Sequence, residues 1–121
     1  MKKPIIAAVD DQQFICDMVE TILGKEYEVR AFTKGEELVK FISETPTDLL
    51  LLDYDMPNMT GYEVLLAARA TKNFGRKPVI FLTAELNDRM KDEMLGRGAS
   101  DYLTKPLNAA ELRDCVKKYL T

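Results

Sequence analysis

The sequence predicts an α/β fold of the doubly wound (βα)5 type, in which helices cover both faces of an open parallel sheet. Five short apolar runs alternate with segments of helical periodicity, the pattern of βαβ units. Three of these runs are apolar throughout, as strands covered on both faces must be. The 121 residues, 46% of them hydrophobic and 31% charged, suffice for one globular domain over 1–121 and argue against a disordered chain.

Five strands are predicted, and their composition indicates where each lies in the sheet. They cover, in chain order, 4–9, 27–32, 48–52, 78–82 and 100–103. The first, third and fourth are continuously apolar over 5–9, 49–52 and 79–82, which indicates interior strands. The second alternates apolar with charged residues and therefore suits a sheet edge.

Helices are predicted between the strands and after the last one. Segment 12–23 has apolar residues at i, i+1, i+4, i+5, i+8 and i+9, the pattern of one helix face. Similar patterns predict helices around 38–42, over 60–71, with Thr60 as a plausible N-cap, and over 87–96. The last helix, 108–120, begins at Asn108 and has Glu111 three residues later, the spacing of a capping box.

The composition excludes several classes of function. A net charge of −3, from 17 basic and 20 acidic residues, argues against direct nucleic-acid binding. No apolar run approaches the ~20 residues that span a bilayer, and no signal peptide is predicted, so we expect a cytoplasmic protein that does not bind membranes. The absence of histidine excludes Ser-His-Asp and Cys-His catalysis. Cys16 and Cys115 are expected to be reduced thiols in the core.

Polar residues stand where four of the predicted strands end. Asp10 and Asp11 follow the first strand, Asp53 the third, Thr83 the fourth, and Lys105 comes just after the fifth. The carboxyl ends of parallel strands meet at one edge of the sheet, where doubly wound folds bind their ligands. We therefore expect three carboxylates, one hydroxyl and one ammonium group to converge there.

This set of groups predicts metal-assisted phosphoryl transfer. Three carboxylates repel one another unless a cation lies among them, and oxygen ligands without nitrogen or sulfur favour Mg²⁺ or Mn²⁺. One of the carboxylates would be the nucleophile, since a carboxylate is ionised at pH 7 and needs no general base. Lys105 would pair with one phosphoryl oxygen and Thr83 could hydrogen-bond another.

Four motifs at these strand ends resemble the receiver domain of two-component response regulators. They are 9–11 (VDD), 50–57 (LLLDYDMP) with Gly61, 81–84 (FLTA) and 98–106 (GASDYLTKP). The resemblance covers essentially the whole chain, and the chemotaxis single-domain regulator is the nearest architectural model. It implies a flavodoxin-like sheet of order 2-1-3-4-5 and a signalling phosphoacceptor rather than an enzyme, either alone or as part of a larger regulator.

The resemblance also implies a phosphorylation and metal site. Asp53 would accept a phosphoryl group from a partner histidine kinase or phosphotransfer protein in a phosphorelay. Asp11 and Asp53 would ligate Mg²⁺ directly, together with the backbone carbonyl of Asp55. Asp10 would act mainly through metal-bound water.

A conformational switch is implied in the same way. Thr83 and Lys105 would contact the phosphoryl group, and Tyr102, three residues before the lysine, would report the change of conformation. The Lys105–Pro106 bond would be cis. A downstream target or an output domain would respond to the altered surface.

Other interpretations fit parts of the pattern. Asp53-Tyr54-Asp55 is a DxD pair at a strand end, as in aspartyl-phosphate phosphatases of the haloacid dehalogenase kind. Those enzymes carry the pair on the first strand and usually need a cap region that 121 residues cannot supply. A flavodoxin-like FMN carrier would need amides and hydroxyls in the first loop, where Asp10 and Asp11 would repel the phosphate. Taken singly, the two aspartates could cap the first helix and Tyr102 could be a core residue.

Overall fold

A computed structural model describes residues 2–120, in which five parallel strands form one sheet. The strands are β1 (Ile5–Val9), β2 (Glu28–Phe32), β3 (Leu49–Asp53), β4 (Val79–Thr83) and β5 (Asp101–Thr104). Their order, 2-1-3-4-5, confirms the predicted fold class and places the alternating strand β2 at an edge. Strands β3 and β4 each extend one residue beyond the prediction, so Asp53 and Thr83 are the last residues of their strands.

Five helices in this part of the chain cover the two faces of the sheet. They are α1 (Gln13–Leu23), α2 (Gly35–Glu44), α3 (Gly61–Arg69), α4 (Asp88–Gly96) and α5 (Ala109–Leu120). Helices α1 and α5 pack on one face with Leu49 and Leu51, whereas α2, α3 and α4 pack on the other with Leu50 and Leu52. Successive residues of β3 therefore serve opposite halves of the core, which is why this strand is apolar throughout.

The helix ends follow from local side-chain hydrogen bonds. Thr60 Oγ1 accepts the Glu63 N–H at 3.2 Å, and Glu63 Oε1 accepts the Thr60 N–H at 3.1 Å, which completes a capping box before α3. Asn108 Oδ1 likewise accepts the Glu111 N–H at 3.0 Å. Helix α3 ends at Arg69, two residues earlier than predicted. The Thr71 hydroxyl donates to the Ala68 carbonyl at 2.9 Å, a local bond that competes with helix continuation.

The two cysteines are free thiols. Cys16 is buried and Cys115 is half-buried, so only Cys16 lies fully in the core as predicted. Burial raises the pKa of Cys16 to about 11 and that of Cys115 to about 12, which keeps both thiols protonated and unreactive at neutral pH. Within residues 2–120 no helix is both long enough and apolar enough to span a membrane.

Candidate functional site

The strand register brings the predicted acidic residues together. Val9 of β1 pairs with Leu52 of β3, so Asp10 and Asp53 follow adjacent positions at the carboxyl edge of the sheet. Asp10, Asp11 and Asp53 each have a carboxylate oxygen within 4.8 Å of those of the other two. Asp10 and Asp53 are only 2% and 3% exposed, whereas Asp11 faces solvent. Two of the three negative charges are therefore removed from water, which is costly without a positive partner.

Lys105 provides that positive partner. Its Nζ lies 2.6 Å from Asp10 Oδ2 and 3.4 Å from Asp53 Oδ1. The Lys105 N–H donates to the Thr83 carbonyl at 2.8 Å, which ties the ends of β4 and β5 together. The Lys105–Pro106 bond is cis, as the resemblance implies.

The contacts of Asp10 place it in the cluster rather than at a helix cap. Its Oδ1 accepts the Gln12 N–H at 3.0 Å, but Gln12 itself is the N-cap of α1 and no side-chain bond caps this helix. Its Oδ2 is buried and, apart from the ion pair with Lys105, has no hydrogen-bond partner among the described residues. The alternative in which Asp10 merely caps α1 is therefore not supported.

The loop after β3 is held close to the site by main-chain contacts. The Asp55 N–H donates to Asp53 Oδ1 at 3.3 Å, and the Gly61 N–H donates to the Tyr54 carbonyl at 3.3 Å. A Cβ on Gly61 would lie 2.4 Å from the Asp53 carbonyl oxygen, so only glycine lets α3 begin here. Asp55 is exposed, and its side chain is not part of the acidic group.

The two predicted switch residues lie apart from this cluster. Thr83 is fully buried, and its hydroxyl donates to the Glu85 carbonyl at 2.8 Å. No hydrogen bond links this hydroxyl to the acidic cluster in the described part of the chain. Tyr102 is half-buried and packs against the core cluster, as expected for an aromatic residue with a core role; Lys91 Nζ lies 6.0 Å from its ring centroid.

Burial sets the electrostatics of the site. It raises the pKa of Asp53, and the nearby Asp10 charge raises it further, to about 7; the Lys105 charge and the Asp55 N–H act in the opposite direction. Burial alone would lower the pKa of Lys105, but its contacts with Asp10 and Asp53 outweigh burial and hold that pKa above its usual value. A pKa of about 7 leaves metal-free Asp53 only partly ionised at pH 7, whereas the sequence, which does not reveal its loss of solvation, predicts full ionisation.

These residues fit a divalent cation. Three carboxylates offer convergent oxygens, the buried Asp10 Oδ2 has only an ion pair, and in this group neither nitrogen nor sulfur is available as a ligand. A hard cation with oxygen ligands matches that donor set. Its positive charge would also favour the ionised form of Asp53.

A network beside the site was not predicted from the sequence. The Tyr54 hydroxyl donates to Glu93 Oε1 of α4 at 2.8 Å and accepts from Arg97 Nη1 at 3.0 Å. The spacing of Glu93 and Arg97 by four residues indicates one helix face. It does not indicate which residue that face contacts.

The fold and the acidic edge define a phosphoacceptor type of signalling domain, and comparison with known proteins agrees. The chain belongs to the response regulator receiver domain family, whose family model matches residues 6–117. The chain is thus a receiver domain of two-component response regulators, and the comparisons do not support the haloacid dehalogenase alternative. The buried Asp10 carboxylate at the end of β1 likewise argues against FMN phosphate binding there.

Similar proteins carry the same domain. Regulatory protein VanRc of Enterococcus gallinarum is 38% identical over 116 residues, which are 95% of this chain and 49% of VanRc. The structure of chemotaxis protein CheY4 of Vibrio cholerae has a TM-score of 0.91 at 30% identity and covers 97% of this chain and 98% of that one. The chain spans about half or less of the length of the curated relatives it matches.

A third neighbour contains a metal. The receiver domain of sensor histidine kinase PA1611 from Pseudomonas aeruginosa PAO1 has a TM-score of 0.86 at 28% identity, with 98% of both chains covered. Its structure has a magnesium ion coordinated in the active site cleft.

We predict that Gly61→Ala lowers the free energy of unfolding by about 1–3 kcal/mol, because the added methyl group would displace the main chain at Asp53. Gly96→Ala is the matched control, since a Cβ there meets no atom within 4 Å. Chemical denaturation measures both changes. Equal stability of the two variants would contradict the close approach of α3 to β3.

We predict that Asp53→Asn stabilises the metal-free protein increasingly as pH rises from about 4 to 8. The folded pKa of about 7 lies above the ordinary 3.8, so the contribution of this group to wild-type stability is fully present below about pH 4. It is lost as pH rises from about 4 to 7, because the unfolded chain releases this proton while buried Asp53 retains it. Asn cannot ionise, so its advantage should reach the order of 4 kcal/mol by about pH 8, at 1.36 kcal/mol per pKa unit.

Urea unfolding in EDTA at several pH values measures this advantage, with the exposed Asp114→Asn as the control. A difference between wild type and Asp53→Asn that does not vary with pH would show that the pKa of Asp53 is not raised.

Proposed function

We propose that Asp53 accepts a phosphoryl group from a phosphohistidine of a partner histidine kinase or phosphotransfer protein, in a Mg²⁺-dependent reaction. The observation that carries this proposal is the buried Asp53 carboxylate, 3.4 Å from Lys105 Nζ and within one group with Asp10 and Asp11. The product would be an aspartyl phosphate that changes the surface read by a downstream target or an output domain.

The bonds in this step balance without a general base. An Asp53 carboxylate oxygen attacks phosphorus and forms the new O–P bond, while the P–N bond of the donor breaks. The electron pair of that bond stays with the imidazole nitrogen, which then takes a proton from water. Lys105 would pair with a phosphoryl oxygen and would hold Asp53 in its ionised, nucleophilic form.

Asp11, Asp53 and the backbone carbonyl of Asp55 would hold Mg²⁺, or Mn²⁺, and Asp10 would add its charge beside them. When bound, the cation neutralises charge on the phosphoryl oxygens. Asp10 also keeps Lys105 at the site through their 2.6 Å ion pair. The carboxylates thus attract the cation, and the lysine limits their mutual repulsion until it binds.

Thr83 and Tyr102 would convert phosphorylation into a change of shape. An acyl phosphate on Asp53 offers new acceptor oxygens, and the Thr83 hydroxyl would exchange its Glu85 carbonyl for one of them. That movement would vacate space beside β5, which the half-buried Tyr102 ring would fill. The result is a population shift between two arrangements, limited by the difference in their contact energies.

The domain would act as a phosphoacceptor that assists only its own phosphorylation and dephosphorylation, in one receiver domain over 1–121. It would bind protein partners and neither nucleic acid nor membrane. The free thiols of Cys16 and Cys115 suit a reducing compartment, and we place the domain in the cytoplasm.

We predict that a small acyl-phosphate donor with Mg²⁺ adds one phosphoryl group to the wild type and none to Asp53→Asn, because Asp53, at the end of β3 and 3.4 Å from Lys105 Nζ, is the proposed nucleophile. Intact-mass spectrometry measures the product, and Asp114→Asn should react like the wild type. Equal labelling of Asp53→Asn would refute the assignment. Sustained hydrolysis of a generic phosphate ester would instead support a phosphatase.

We predict that Thr83→Ala still binds beryllofluoride at Asp53 but no longer transmits binding to the Tyr102 ring. Ring NMR signals, assigned against Tyr102→Phe, measure the response. Thr47→Ala is the matched control, because Thr47 is also fully buried and its hydroxyl also donates to a carbonyl two residues away. An unchanged Tyr102 response in Thr83→Ala would exclude the hydroxyl from the switch.

A further inference from the structure

Helix α4 is attached to the domain through both apolar and polar contacts. Met94 is its only buried residue among those described, and the half-buried Met90 also packs against the core. In addition, Glu93 accepts from the Tyr54 hydroxyl at 2.8 Å and pairs with Arg97 at 3.1 Å. The Arg97 guanidinium lies 4.4 Å from the centroid of the Tyr62 ring of α3. We name the connected groups of Tyr54, Glu93 and Arg97 the α4 tether.

The other end of the α4 tether is fixed beside the acidic cluster. Tyr54 lies between Asp53 and Asp55, and its N–H donates to the Leu82 carbonyl at 2.8 Å. Its ring packs edge-on against Phe81, with 4.9 Å between centroids. These contacts connect Tyr54, the first residue after Asp53, to strand β4.

The buried part of the tether is the Tyr54–Glu93 bond. The side chains of Arg97 and Glu93 are 40% and 37% exposed, so solvent weakens their ion pair. The Tyr54–Glu93 bond is partly buried and joins a hydroxyl to a carboxylate, a charge-assisted bond that is stronger than a neutral one. Removal of the Tyr54 hydroxyl is therefore the substitution that breaks the strongest hydrogen bond of the α4 tether.

We propose that Tyr54 is a positioning residue that couples occupancy of the Asp53 site to the C-terminal end of α4, by a route separate from Thr83 and Tyr102. The inference rests on the proposed function. Asp53 Oδ1 both accepts the Asp55 N–H at 3.3 Å and faces Lys105 at 3.4 Å. A cation or phosphoryl group on Asp53 competes with these contacts and readjusts the loop that contains Tyr54.

Coupling of this kind acts equally in both directions. If site occupancy alters the α4 tether, then the tether alters the affinity of the site by the same factor. If the α4 tether only stabilised the helix, its loss would lower the free energy of unfolding but would not change how α4 responds when the Asp53 site is occupied.

The test monitors NMR signals of Arg97 while ligands are added to the Asp53 site. Side-chain and amide NMR signals of Arg97 are recorded in the whole chain as Mg²⁺ and then beryllofluoride are added. We expect them to shift in the wild type, and to lose most of that shift in Tyr54→Phe. In the coupling proposed here the tether is stronger when the site is filled, so Tyr54→Phe should also weaken Mg²⁺ binding, by about threefold, within the worth of one hydrogen bond.

Matched variants test whether the coupling passes through Tyr54 and Glu93 rather than through another hydroxyl group. Tyr119→Phe removes another hydroxyl, on α5, that lies 2.8 Å from a carbonyl oxygen and 3.1 Å from a carboxylate oxygen; the Arg97 response should persist. It should also persist in Thr83→Ala. Glu93→Ala should weaken Mg²⁺ binding as much as Tyr54→Phe does. The double variant should bind Mg²⁺ no more weakly than either single variant, because both substitutions remove the same Tyr54–Glu93 hydrogen bond.

An Arg97 response that is equal in wild type and Tyr54→Phe would overturn the coupling, as would an additive loss of Mg²⁺ affinity in the double variant. Mg²⁺ binding that is the same in wild type and Asp11→Ala would instead refute the proposed metal site, and the coupling with it.

Discussion

The structure depends on the burial of two like charges at the carboxyl edge of a parallel sheet. Asp10 and Asp53 follow adjacent positions of β1 and β3, and water reaches neither to any extent. Two buried carboxylates side by side are stable only with positive charge between them. Lys105 supplies it from a third strand, so the sheet order that joins β1, β3, β4 and β5 is also what makes the cluster tolerable.

Burial and reactivity make opposite demands on Asp53. Burial would exclude water from an acyl phosphate on Asp53, yet it raises the pKa of this carboxyl to about 7, and only the ionised form could act as the proposed nucleophile. Lys105 offsets part of this cost within the chain, and a divalent cation would offset the rest. The site is therefore destabilised until it is loaded, and binding free energy that relieves this repulsion becomes available to shift the conformation.

The helices are held with unequal strength. Helices α1, α2 and α3 each bury three or four residues, whereas α4 buries only Met94 among the described residues, with the half-buried Met90 and the polar contacts of Glu93 and Arg97 beside it. Elements with few buried apolar contacts open at the lowest free energy. Helix α4 has fewer buried residues to expose than α1, α2 or α3, so in the proposed coupling it would be the helix that responds to a rearrangement at the acidic edge.

The sequence alone determined the architecture, because apolar periodicity reports which faces are buried. It placed all five strands to within one residue, and it predicted which polar residues share an edge, since parallel strands end together. Only the tertiary structure decided the pKa of Asp53, the bond from Thr83 to Glu85, and the α4 tether. Tyr54 is 39 and 43 residues from its partners Glu93 and Arg97, and such contacts depend on how a helix is rotated against the sheet. The desolvation of Asp53 likewise depends on all the elements packed around it, and the apolar periodicity of a single segment does not reveal them.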